Sequence, residues 1–355
     1  MAGDVVGMVL CAGLGTRLRP LTSRVPKPAV PVCGMPLVRY LFALLAGAGA
    51  RRVVVNAHHL ADRMAGVADA AARAAGLDLA VSREPVIAGT GGALREARRA
   101  LEGAEAVVVV NGDILFDVDL AAVLAAHRAS GALATMVLMP MPPGFSYASV
   151  ETDAGGVVRR IAGRFGPGGA GLTPWHFTGV HVLAPALLER VPAEPFEIDV
   201  NRQVYPPLMA EGWVRGHITA GYWNDLGTPG RYLAANEDVL ARRVNLGRLH
   251  GADPFVGLDL FGHPGVWMGA GAHVDPGAVL HAPVMVGPGA RLEAGATAGP
   301  FAIVGAHARL AAGAKLAHAV LWEGTALRPG EEVVRAIAAG DDRVPAGDES
   351  AIRGR

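Results

Sequence analysis

Lysine is nearly missing from this chain. Of 32 basic side chains only Lys27 and Lys315 are lysines, and the rest are arginines. Cysteine is as scarce: Cys11 and Cys33 are the only two, which gives no disulfide framework and no zinc-ligand spacing, and suits a reducing cytosol. Net charge is absent, with 32 acidic groups against 32 basic ones, so no global field draws the chain to nucleic acid or to an anionic membrane. An anionic ligand must then be held by a local site. Long apolar runs are missing too, and none approaches the roughly 20 residues of a membrane span. The first run, "VVGMVL", is short, and the "MAGD" before it carries no positive side chain, so a signal segment is not expected. The expectation is a soluble, cytoplasmic protein, with room in 355 residues for one domain of ordinary size and a smaller one.

What is present is organised in two regimes. Up to about residue 130, short β-branched runs alternate with amphipathic stretches: "VVGMVL", "LVRYLFALLAGAG", "RRVVVN", "LADRMAGVADAAARAAG", "DLAVS", "GGALREARRALEG", "AVVVVNGD" and "DLAAVLAAHRASG". This alternation predicts an α/β domain with a Rossmann-like, mixed or parallel sheet covered on both faces. Ligands of such sheets bind beyond the carboxyl ends of the strands, where the loop after the first run and the "NGD" turn should meet. From 131 to 243 the runs "MVLMPMPP", "YASVETD", "WHFTGVHVL" and "WVRGHI" read as further strands, and "GRYLAANEDVLARRV" as a closing helix.

The second regime begins near residue 266. Aliphatic residues recur every six positions at Met268, Val274, Leu280, Val286, Leu292, Val304, Leu310 and Leu316, with Ala298 underfilling the series. A small residue follows each by four positions, from Ala272 to Val320. A period of six is neither helical nor a simple strand signature. It marks a hexapeptide parallel β-helix, expected to be left-handed with roughly three coils. The division is therefore a main domain over 1–243, a linker over 244–265, a β-helix over 266–328 and a polar tail over 329–355 that is expected to fray.

The chemistry concentrates in "LCAGLGTRLRPLTSRVPKPAV". The loop is not a P-loop, and Leu18 stands where a dinucleotide fingerprint needs its third glycine. What remains is a turn whose backbone N–H groups can face an anion, with Arg17 as a planar clamp and Lys27 fixed between Pro26 and Pro28. Gly-x-Gly-Thr-Arg-Leu-x-Pro-Leu-Thr followed by Pro-Lys-Pro resembles the signature of the sugar-phosphate nucleotidyltransferases, and the resemblance runs in order across residues 5–240. It implies that Gly13, Gly15 and Thr16 cradle a nucleoside triphosphate, with Gly112 also at the nucleotide. It implies further that Arg17 holds the departing phosphates and that Lys27 sits over the α-phosphate. Asp113 in "VVVVNGD" and Asp225 in "YWNDLGTPGRYL" look like the family's paired magnesium ligands. Asp117 and Asp119 read instead as a turn former and a helix cap.

In "REPVIAGTGGAL", Glu84 resembles the family's base reader. A carboxylate can accept both N1–H and the amino group of guanine, which tilts the nucleotide toward GTP. Gly89, Gly91 and Gly92 would let the backbone approach the ligand. The sugar side departs from the family: Ala148 replaces a usual glycine in "YASVE", and Arg164 in "RRIAGRFG" stands nearest a usual lysine. Thr178 and Gly179 in "FTGVHVL" are expected at the sugar pocket. His58 and His59 read as strand-end packing rather than as metal ligands.

The resemblance points to a magnesium-dependent transfer of a nucleotidyl group from a nucleoside triphosphate to a sugar 1-phosphate, closest to the mannose-1-phosphate guanylyltransferases. The alternatives are heptose 1-phosphate, glucose 1-phosphate with dTTP, N-acetylmuramate 1-phosphate with UTP, or a catalytically silent assembly subunit. A further alternative is acyl transfer in the β-helix through one of its histidines, such as His273, His281 or His307. Homo-oligomerisation through the β-helix is expected, because an open solenoid end must be capped or paired.

Overall fold

A computed structural model describes residues 4–144 and 147–347. The main sheet has nine strands. Its central path runs Val158–Ile161, Ser149–Thr152, Thr173–Leu183, Ala106–Asn111, Val5–Leu10, Ala50–Ala57 and Asp78–Arg83. The last four are mutually parallel, and Thr173–Leu183 joins Ala106–Asn111 antiparallel, so the sheet is mixed. Ala134–Met139 pairs with Thr173–Leu183, and Val214–Ile218 runs parallel to Ala134–Met139.

Alternation along the strands feeds two cores, one on each face. Val5, Val9, Val53, Val55, Val108 and Val110 face the helices Leu37–Gly47 and Ala61–Ala75. Val6, Met8, Val54, Val107 and Val109 face a second cluster with Leu94, Leu101, Leu187 and Tyr205. A side chain at Gly7 would meet Leu45 at 2.6 Å, so the missing side chain lets the first helix lie close on the sheet. Register fixes the working edge: Leu10 stands opposite both Asn56 and Asn111, so three strands end level and release their loops together. The expected helix in "GGALREARRALEG" is broken in two, Gly89–Glu96 and Arg98–Leu101.

The second body is a left-handed parallel β-helix, and it is longer than the sequence period indicates. Strands stack as Val266–Gly269, Val284–Val286, Ala302–Val304, Ala319–Leu321 and Ala336–Ala339 on one face, with four-stranded ladders on the other two. That makes four complete coils and one further strand. The register shows why the hexads seem to stop. Val286 pairs with Val304, 18 positions on, whereas Val304 pairs with Leu321, 17 positions on. One residue is missing at the corner around His318, after which Leu321, Leu327 and Val333 resume the period of six. A second shortening follows Val333, since Leu321 pairs with Ala338.

Two boundaries change accordingly. Residues 329–347, expected to fray, instead carry the strands Glu332–Val334, Ala336–Ala339 and Asp342–Pro345; residues 348–355 lie outside the described residues. The expected linker contributes Leu258–Leu260, which pairs antiparallel with Val266–Gly269.

The β-helix packs on the main-domain helix Pro229–Leu240 through Ala319–Leu321, Ala336–Ala339 and Asp342–Pro345. The Trp322 indole N–H donates to the Tyr232 hydroxyl at 2.9 Å, and that hydroxyl donates to the Pro31 carbonyl at 2.5 Å. Beside it, His318 Nδ1 lies 3.1 Å from Glu237 Oε1.

Candidate active site

The loops released at the working edge are tied together by a buried relay. The Cys11 amide donates to Asn56 Oδ1 at 2.7 Å, Asn56 Nδ2 donates to Glu84 Oε1 at 2.8 Å, and Glu84 Oε2 accepts the Ala88 amide at 3.0 Å. These groups floor a cavity of about 300 Å3 that Gly13, Lys27, Glu84, Thr90, Gly112 and Asp113 also line. Gly112 has no room for a side chain, since a Cβ would stand 2.4 Å from the Leu10 carbonyl. Pro26 and Pro28 hold Lys27 in a short 3-10 turn, and the Ala29 amide closes it on the Pro26 carbonyl at 2.8 Å. Lys27 is only 8% exposed, and its ammonium lies 2.6 Å from Asp113 Oδ2.

Asp225 reaches the same place from a distant part of the chain. Trp223–Asp225 pairs antiparallel with Ile114–Phe116, setting Asp225 opposite Ile114, and the Leu226 amide donates to the Asp113 carbonyl at 2.8 Å. The two acids thus arrive on adjoining strands. Asp225 accepts from the Tyr147 hydroxyl at 3.0 Å and pairs with Arg231. Burial and the neighbouring Asp225 carboxylate raise the Tyr147 pKa, which keeps the phenol a donor. A Cβ at Gly227 would stand 3.0 Å from both the Arg17 guanidinium and the Asp225 carboxylate, so these two groups flank the glycine. Arg17, Lys27, Asp113 and Asp225 are therefore brought to one locality, as the motif spacing implies.

The donor set bears on the metal. Among the described residues no cluster of three or more His, Cys, Asp or Glu side chains is arranged to hold an ion. Two carboxylates without nitrogen or sulfur partners fit magnesium, which takes few protein oxygens and completes its shell with water and phosphate.

Several expected residues behave differently. Glu84 lines the cavity at 4% exposure, and each of its oxygens already accepts one bond within the protein, from Asn56 and from Ala88, so it braces the loop as well as lining the cavity. Gly89 lines the cavity, and a Cβ there would also strike the Ile198 carbonyl at 2.6 Å; one at Gly91 would meet the Ile198 side chain at 2.5 Å, so both glycines also let the chain pack against that segment. Thr178 is turned away from any pocket: it is fully buried, and its hydroxyl donates to the Val137 carbonyl at 2.8 Å. Gly179, at φ +85°, lets the chain pass Asn111, whose Nδ2 a Cβ would meet at 2.7 Å. Arg164 is exposed with its guanidinium over the Phe165 ring, and Ala148 is exposed beside Tyr147. Gly13 is exposed and lines the cavity, Thr16 is exposed, and Gly15 adopts φ +61° beside Thr22. His58 and His59 bond the Glu84 and Thr22 carbonyls at strand ends, as expected.

Asn56, Tyr147 and Arg231 are the functional residues the sequence reading did not single out. Two had a signal: Tyr147 begins "YASVE", and Arg231 follows Asp225 by six residues on the helix of "GTPGRYL". Nothing in "VVVNAHH" marks Asn56.

The chain is similar to several known proteins. The mannose-1-phosphate guanylyltransferase of Mycobacterium tuberculosis is 31% identical over 291 residues, 78% of each chain. A mannose-1-phosphate guanyltransferase beta-A of Xenopus laevis is 28% identical over 70% of this chain and 69% of its own. The UTP–glucose-1-phosphate uridylyltransferase of a Synechocystis strain is also 28% identical, over 74% of this chain and 68% of its own. Among solved structures, HddC from Yersinia pseudotuberculosis superposes with a TM-score of 0.54 at 23% identity, covering 67% of this chain and 99% of its own, which speaks to fold. The nucleotidyl transferase family model matches residues 6–242, about two thirds of the sequence and the whole of the domain that carries Arg17, Lys27, Asp113 and Asp225, and the chain belongs to that family.

Proposed function

We propose that the protein joins GTP and mannose 1-phosphate into GDP-mannose and pyrophosphate. The observation that carries the reaction class is the convergence of Lys27, Asp113, Asp225 and Arg17 at the ends of the parallel strands. A phosphate oxygen of the sugar 1-phosphate attacks the α-phosphorus in line, a new P–O bond forms, and the bond to the β-phosphate breaks to release pyrophosphate. The attacking phosphate is already ionised, so no strong general base is needed. Lys27, pre-positioned and nearly buried, neutralises charge growing on the α-phosphate. Arg17 clamps the leaving phosphates through its planar fork. Asp113 and Asp225 would hold magnesium, which offsets the charge of the triphosphate when bound.

Guanine is supported by Glu84, since each of its oxygens keeps a lone pair beyond the bond it already accepts. Mannose is supported by the names of the relatives at 31% and 28% identity, while the Synechocystis relative keeps UTP with glucose 1-phosphate as a second reading. The test is pyrophosphate release across GTP, UTP, dTTP, ATP and CTP, each with a panel of sugar 1-phosphates, with and without magnesium. Magnesium-dependent release with GTP and mannose 1-phosphate is the expected result. Release only with another pair keeps the chemistry and removes the substrate assignment. Silence across the panel removes the enzymatic reading in favour of an assembly subunit.

A further inference from the structure

His176 is the polar group in the catalytic domain that its surroundings explain least. It lies on Thr173–Leu183, opposite Met139 and Ser149 on the neighbouring strands, and is 3% exposed. Neither ring nitrogen has a hydrogen-bond partner. Its neighbours on either side are rings: Tyr147 at 4.5 Å between centroids and Trp223 at 4.3 Å. Leaving two buried polar atoms unpaired costs free energy that a phenylalanine at this position would not, so the imidazole calls for a partner that the folded chain does not supply.

The place narrows what that partner is. Tyr147 donates its hydroxyl to Asp225, and Trp223 lies two residues before Asp225 with its indole N–H fixed on the Thr178 carbonyl at 2.8 Å. Arg231 lies over the Tyr147 ring, 5.3 Å from its centroid. Two aromatic rings thus flank one neutral imidazole, with Asp225 and Arg231 held at Tyr147, and its pKa is pushed down to about 4 by burial and by Arg231. A neutral imidazole offers one donor and one acceptor. A hexose matches this arrangement, because its C–H faces stack on rings while its hydroxyls each give and take a hydrogen bond.

We propose that His176 is a sugar-recognising residue, its two nitrogens pairing with neighbouring hydroxyls of the sugar 1-phosphate once the half-exposed Tyr147 ring swings aside. This rests on the nucleotidyl-transfer reading and deepens it. It gives the sugar side a specificity group in place of Thr178, whose hydroxyl is spent on the sheet. Tyr147 then exchanges its place over His176 for a place at the rim as the sugar enters.

The test uses the full-length protein with His176→Phe, which keeps a ring and removes both nitrogens, and His176→Asn, which restores one donor and one acceptor. KM for sugar 1-phosphate, KM for nucleoside triphosphate and thermal midpoint are measured for each. The Phe variant should raise the sugar 1-phosphate KM by about ten- to a hundredfold, the worth of two hydrogen bonds. The triphosphate KM should stay put, and the thermal midpoint should hold or rise, because the unpaired nitrogens are gone. The Asn variant should recover part of the sugar KM. An unchanged sugar KM in the Phe variant, an equal rise in both KM values, or a lowered midpoint accounting for the loss would each overturn the proposal. If the wild-type protein turns over no pair in the panel, the functional reading fails first and the proposal falls with it, an outcome distinct from turnover with an unaltered KM.

Discussion

A buried lysine beside an aspartate does two jobs at once. Lys27 and Asp113 neutralise each other at 2.6 Å, and the pair lies where a triphosphate and its cation would bind. Removing either partner leaves a largely desolvated charge and withdraws a group from the transition state. Lys27→Met should lower kcat by about 10²-fold or more with a smaller effect on KM, read by steady-state pyrophosphate release. Lys27→Arg should not rescue it, since the guanidinium is larger and planar where the turn between two prolines presents a point charge. A second prediction concerns protons. His181 is fully buried against the Tyr205 hydroxyl, and burial alone pushes its pKa down to about 3. In the unfolded chain it titrates near its ordinary value of about 6.5, so between about pH 6.5 and 3 the unfolded state binds the extra proton. Stability should therefore fall as pH drops below about 6.5, by up to about 1.4 kcal/mol per pH unit for this group, and His181→Phe should flatten that part of a melting-temperature profile. At this scale the sequence was most legible where motif chemistry demands particular atoms: Arg17, Lys27, Asp113 and Asp225 all reach one locality. It was least legible for residues whose task is set by neighbours far along the chain. Thr178 resembles a pocket residue in its motif, yet its hydroxyl is spent on the Val137 carbonyl of the neighbouring strand. Asn56 shows nothing in its local sequence of the relay it makes between Cys11 and Glu84.

Among the elements, the coils of the β-helix show how a sequence period carries a fold and how it hides the end of one. Leu292, Leu310, Leu316, Leu321 and Leu327 are all buried in the one core of the solenoid, and Leu292, Leu310 and Leu327 stack directly in one ladder. Leu310→Ala should cost about 2–5 kcal/mol in a denaturant titration, because its neighbours above and below are fixed by ladders and cannot collapse into the gap. The hexads were readable as far as Leu316 because every corner up to that point has the same length. Beyond it the corner around His318 is one residue shorter, the aliphatic series changes phase, and the residues from 329 on look like a polar tail although Val333 and Ala338 are buried in the same core. The glycines after Glu84 carry two meanings at once. Gly89 lines the cavity, and close approach of backbone to the Ile198 segment also requires a missing side chain at Gly89 and Gly91. Gly89→Ala should accordingly lower the thermal midpoint through both its φ of +73° and the Ile198 clash, by about 1–3 kcal/mol in stability.

As a whole, the molecule is two bodies sharing one helix. Pro229–Leu240 gives Arg231 to Asp225, its Asn236 accepts the Cys33 amide at 2.8 Å, and its Tyr232 holds the Pro31 carbonyl just beyond Lys27. The β-helix meets that same helix through Trp322 and His318. Trp322→Phe removes the indole N–H and part of the ring that packs on Tyr232, and should lower kcat several-fold at unchanged fold, measured beside a circular-dichroism melt. Antiparallel strands Leu258–Leu260 and Asp342–Pro345 flank the long ladder at its two edges. The two shortened corners have a consequence for how the bodies fit. Each immediately precedes a strand that touches the helix Pro229–Leu240, Ala319–Leu321 in one case and Ala336–Ala339 in the other. Counting residues around the prism is thus a way of setting its stance, as a carpenter planes one edge of a block to seat it. A single alanine inserted between Ala317 and Ala319 would give that corner back its usual length and keep every coil stacked, yet lift Trp322 from Tyr232. Such a protein should melt as a β-rich solid of normal size and work as one whose brace has come loose.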